Sequence, residues 1–76
     1  MAGPIKRSVQ IAGHATSISL EPVFWDALVV AAGELALPLS ALVARIDAER
    51  IVTADPPNLA SAIRVWLFER VRDRSP

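Results

Sequence analysis

Apolar and polar residues alternate from Thr16 to Leu20, with Thr16, Ile18 and Leu20 on one side and Ser17 and Ser19 on the other. A period of two over a short run predicts a half-buried β-strand. Pro22 then stops the extended run. It suits the first turn of a helix, where its missing N–H is not needed and its φ is already set. From there the apolar positions recur at helical spacing. Phe24, Leu28, Ala31, Ala32 and Leu35 form one stripe of a helix over about 22–36, and Trp25 and Val29 widen it. Glu21 and Asp26 lie near its start, where carboxylates complement the helix dipole. Leu37 to Ser40 reads as a turn. A second helix over about 39–51 gathers Leu39, Leu42, Val43 and Ile46 on one face and turns Arg45, Asp47, Glu49 and Arg50 outward. Two prolines make 53–57 a linker. Asn58 is a suitable N-cap for a third helix over about 59–72, with its stripe at Leu59, Ala62, Ile63, Trp66, Leu67 and Val71.

Upstream the pattern is weaker. Ser8 to Ile11 alternates, and 12–15 can turn, with Gly13 free to take a positive φ. Residues 7–20 therefore form either an intrachain hairpin or an arm followed by one strand. A single strand needs another edge, and a lone hairpin is marginal in water. The simplest supply of an edge is the identical strand of a second copy. The predicted fold is mostly α with a short N-terminal β-strand or hairpin, in one domain over 6–72 with flexible ends at 1–5 and 73–76.

Composition adds an argument for self-association. Of 76 residues 53% are hydrophobic, more apolar surface than so short a chain hides easily. The absence of cysteine excludes disulfides and thiolate metal sites. No apolar run is long enough to span a bilayer, and the N-terminus has no signal-peptide core, which leads us to expect a cytoplasmic protein with no membrane partner. No nucleophile stands with a histidine and an acid in motif spacing, no glycine-rich phosphate loop appears, and Asp47 and Glu49 do not face each other on a helix. Neither an enzyme nor a cofactor is expected. His14, the single histidine, is no metal site by itself and reads as a turn residue before a phosphate contact.

The formal net charge is zero, yet it is unevenly spread. Residues 1–20 carry Lys6 and Arg7 and no acid. Residues 21–50 carry five acids against Arg45 and Arg50. The last helix carries Arg64, Arg70, Arg72 and Arg74 against Glu69 and Asp73. The chain is thus basic at both ends and acidic in its middle. The acid-free N-terminus favours Lys6 and Arg7 as phosphate contacts. Trp25 and Trp66 sit at core spacing on helices and are read as core residues before base-stacking ones.

The run from Lys6 to His14 (KRSVQIAGH), followed by TSISLE over Thr16–Glu21 and FWDAL over Phe24–Leu28, resembles the ribbon-helix-helix domain. The likeness is to its small bacterial subgroup reading K-R-S-V-x-I-A-G-H-x-T-S. Leu39 to Asp47 resembles the second helix of that domain, and Asn58 to Val65 the subgroup's third. The resemblance covers about residues 6–72. It implies a homodimer whose paired strands enter the major groove of double-stranded DNA, in the manner of a small transcription regulator. Carried onto this sequence, it makes Ala15, Ser17 and Ser19 base-facing. It places the phosphate-holding end of the second helix at Leu39, Ser40 and Ala41, and the shared dimer core at Ile18, Leu20, Phe24 and Leu28. The chain departs from strong readers in its chemistry. Ala15 has no polar group, serine discriminates bases poorly, and Pro38 stands where a capping serine would fit. These departures and the zero net charge define a second reading, a dimeric module of the same fold that binds a protein partner and has little affinity for DNA.

Overall fold

A computed structural model of the protein describes residues 3–74. Two strands, β1 (Ile5–Ile11) and β2 (His14–Leu20), form an antiparallel hairpin. Three helices follow: α1 (Pro22–Glu34), α2 (Leu39–Ile51) and α3 (Leu59–Arg74). Regular structure thus reaches one residue before and two after the expected 6–72. The expected flexible ends at 1–5 and 73–76 lie partly outside the described residues.

The hairpin settles the choice left open by the sequence. β2 pairs with β1 of its own chain, Ile5 opposite Leu20 and Ile11 opposite His14. An identical strand from a second copy is therefore not required to complete the ribbon. The strand expected over 16–20 begins at His14, and the weak one over 8–11 begins at Ile5. The cause lies in the two-residue turn. Ala12 has φ 50° and Gly13 φ 82°, the doubly left-handed conformation whose twist matches that of the flanking strands. Gly13 takes it freely, whereas Ala12 takes it against its Cβ.

The helices pack on one face of the ribbon. Ile18, Leu20, Trp25, Leu28, Leu42, Val43, Ile46 and Ile63 are each 0–2% exposed, and burial of side chains of this size contributes about 1.5–3 kcal/mol apiece. Ile18, Leu20 and Leu28, expected to be buried between two copies, are buried within one chain; Phe24 is half-buried. Of the predicted stripe residues, Val29 and Val71 are exposed, whereas Phe24, Leu35, Leu39, Leu59, Ala62 and Trp66 are half-buried and pack against the core. The buried residues of α3 are Ile63 and Leu67. The indole N–H of Trp25 donates to the Ile5 carbonyl at 2.9 Å. This bond fastens the start of the ribbon to α1 while satisfying the one polar group of a buried ring.

The helix ends follow local chemistry. At the end of α1, Ala36 has φ 56°. Its N–H donates to the Gly33 carbonyl, and that of Leu37 to the Ala32 carbonyl, the paired bonds that close a helix over a left-handed residue. α2 starts at Pro38 with no side-chain cap. Asn58 caps α3 as expected, its Oδ1 accepting from the Ser61 N–H at 2.8 Å. Among the described residues no single helix is long and apolar enough to cross a membrane.

Candidate nucleic-acid interface

The pairing register divides the ribbon into two faces, because residues directly opposite in an antiparallel ladder point the same way. Ile5–Leu20, Arg7–Ile18, Val9–Thr16 and Ile11–His14 face the helices; Lys6–Ser19, Ser8–Ser17 and Gln10–Ala15 face away. Val9, Ile18 and Leu20 are buried on the inner side. On the outer side Lys6, Ser8, Gln10, Ala15 and Ser17 are exposed and Ser19 is half-buried. The three residues expected to face bases, Ala15, Ser17 and Ser19, therefore do share one outward row. Opposite them stands a second row, Lys6, Ser8 and Gln10. Ser8 and Gln10 were missed because the strand upstream of the turn was left open. The signal was present: Lys6, Ser8 and Gln10 alternate with Ile5, Val9 and Ile11, and only Arg7 breaks the alternation.

Lys6 and Arg7, expected as a pair of phosphate contacts, are on opposite faces. Lys6 stands outward beside Ser19. Arg7 lies on the helix side, its guanidinium 5.1 Å from the centre of the Trp25 ring. A cation over an indole is held there by the ring's negative face. His14 is exposed at the end of the ribbon, and its ring makes no hydrogen bond among the described residues.

Leu39, Ser40 and Ala41 form the first turn of α2. The Ala41 and Leu42 N–H groups donate to the Pro38 carbonyl at 3.0 and 3.1 Å. The amides of Leu39 and Ser40 precede these bonds, so they are the groups at this end that have no helical acceptor. They are the donors an anion would meet at the positive end of the helix.

The charges of α3 have a different fate from those of the ribbon. Arg64 pairs with Glu21 at 2.9 Å, and Arg70 and Arg74 both reach Glu34, at 3.1 and 2.9 Å. Arg72 pairs with Glu69 and Asp73, and Arg50 with Asp47 at 2.7 Å. Glu21 and Glu34 are held below the ordinary carboxylate range. For Glu21 the first cause is its own backbone amide and the second is Arg64. For Glu34 the causes are the hydrogen bond from Arg70 and then the charge of Arg74. Among the described residues, the lysine and arginine side chains with no carboxylate in ion-pair contact are Lys6, Arg7 and Arg45. Two of these three stand on the hairpin.

The arrangement is an uncharged-to-basic two-stranded ribbon laid on a helical base, with no group of three or more metal-ligating side chains among the described residues. Such a ribbon has the width that the major groove of B-DNA admits. No curated protein and no solved structure matches the chain. The sequence pattern that defines the ribbon-helix-helix domain matches residues 4–71, and the chain belongs to that family.

Proposed function

We propose that this protein is a homodimeric DNA-binding transcription regulator that lays the outer face of its ribbon in the major groove. The observation that carries the reading is the chemistry of that face. Lys6, Ser8, Gln10, Ser17 and Ser19 offer hydrogen-bonding groups, and no acid lies within the first twenty residues to repel phosphate. Lys6 contacts the phosphate backbone, the Leu39 and Ser40 amides hold a flanking phosphate, and Ser17 and Ser19 stand toward the groove floor. Arg7 contributes positive field from the rim of the ribbon, over Trp25.

Dimerisation and DNA binding are typical of the family. Since the ribbon is completed within one chain, the contact between copies draws on other surface. α1 exposes Val23, Val29 and Val30, and α3 exposes Val65 and Phe68. This amount of aliphatic surface on two helices also favours the second reading, in which the same helices seat a protein partner. Fluorescence anisotropy with random-sequence duplexes at two salt concentrations separates the two. Binding that weakens steeply with salt supports the DNA reading. A folded protein with no binding at low salt removes it and leaves the protein-partner reading in front.

A further inference from the structure

We propose that Gln10, on β1, is the principal base-reading side chain of this protein and that it selects adenine. The proposal rests on the DNA-binding reading above and deepens it. Three observations carry it. Gln10 is exposed on the outward face, and its side-chain amide makes no hydrogen bond within the described residues. Its direct cross-strand neighbour is Ala15, whose methyl group can neither bond to the amide nor reach across it. The other outward residues are Lys6, a point charge, three serines and this alanine. Glutamine alone among them presents a donor and an acceptor in one planar fork, the pattern that matches N6 and N7 of adenine in the major groove.

The position of Gln10 in the ribbon reinforces the chemistry. It lies two residues before the Ala12–Gly13 turn, whose left-handed backbone fixes the register and so the side of the ribbon on which the amide emerges. Two residues of strand advance about 6.8 Å, so Lys6 and Gln10 stand roughly 13–14 Å apart along β1. Base pairs rise about 3.4 Å. A ribbon following the groove therefore puts Gln10 roughly three or four base pairs from Lys6. The serines between them can bond to several bases and fix none. Sequence preference in this protein accordingly concentrates at one adenine per protomer, while Lys6 supplies affinity without discrimination.

The test begins with selection of bound duplexes from a random pool by the wild-type protein. The expected result is one strongly enriched A·T position per protomer, two symmetry-related positions for the dimer, among weakly constrained neighbours. Gln10→Ala should keep the fold, checked by circular dichroism and melting temperature. It should lose a preference of roughly 5- to 150-fold at the enriched position. Replacing the enriched adenine by 7-deazaadenine, which lacks the N7 acceptor, should weaken wild type and leave Gln10→Ala unaffected. If Gln10→Ala selects the same position with the same preference, or if the deaza base weakens both proteins equally, the assignment of Gln10 is overturned while DNA binding stands. If the wild type binds no duplex at low salt, the DNA-binding reading itself falls, and this assignment with it.

Discussion

The two basic ends of this chain meet opposite fates. Residues 1–20 hold two cations and α3 holds four arginines, so by count the C-terminal helix is the stronger candidate for a polyanion. In the fold, Arg64, Arg70, Arg72 and Arg74 are all drawn into contact with Glu21, Glu34, Glu69 and Asp73. Lys6 and Arg7 meet no carboxylate among the described residues. A cation already facing an acid offers little field to a third party, since the pair is nearly a dipole and salt screens the remainder. What a basic segment does depends on which acids the packing brings beside it. Here Arg64, Arg70 and Arg74 tie α3 to α1 and the residue before it, Arg72 pairs within α3, and the ribbon keeps its positive charge available.

The contrast can be broken first by removing the tying helix. A chain ending at Thr53 loses Ile63 and Leu67 from the core. It should give no cooperative thermal transition; a melting temperature equal to that of the full chain would show that α3 is not part of the folded unit. Next in size is Trp25→Ala. This change removes a ring 1% exposed, its bond to Ile5 and the platform under Arg7. It should cost about 3–5 kcal/mol in chemical denaturation. A loss under 1 kcal/mol would mean that the ribbon is not anchored there.

The charge comparison itself is sharpened by single neutralisations. Lys6→Ala should reduce the salt dependence of DNA binding by roughly one unit of slope and leave the melting temperature nearly unchanged. Arg70→Ala should leave the slope unaltered, because Arg70 already faces Glu34. The reverse pattern in anisotropy titrations would invert the assignment of the two ends.

A smaller effect concerns acid. Glu21 and Glu34 have pKa values lowered in the folded state, so the stabilisation from their bridges is complete above the ordinary glutamate range. It is lost as pH falls through that range to the lowered values. Both are surface groups, and the contribution is modest. Glu34→Gln should flatten the acid limb of a melting-temperature profile and leave neutral pH little changed; an unaltered limb would mean that the Arg70 and Arg74 contacts add nothing. Smallest of all, Ala12→Asn should raise the melting temperature slightly, since asparagine tolerates the left-handed conformation that alanine resists. A fall would show that the turn does not limit the ribbon.

Local chemistry made much of this molecule legible. The start of α1 at Pro22, the span of α2, the Asn58 cap and the outward row Ala15, Ser17 and Ser19 follow from patterns only a few residues long. Periodicity, proline geometry and capping act at that range. Three features were decided by the tertiary structure alone. Whether β2 pairs with its own chain or with a copy depends on a turn in which Ala12 takes a conformation that its residue type does not advertise. Arg7 breaks the alternation of β1, and it is Trp25, eighteen residues away, that gives it a place on the inner side. Arg64, Arg70 and Arg74 of α3 find their partners 36 to 43 residues earlier at Glu34 and Glu21, a separation over which charge pattern carries no register until packing brings the helices together. The sequence by itself determined the three helices and the strand that precedes them, with its two faces. The packing decided which charges remain free to meet a partner, because an ion pair is a matter of distance and only the assembled core sets that distance.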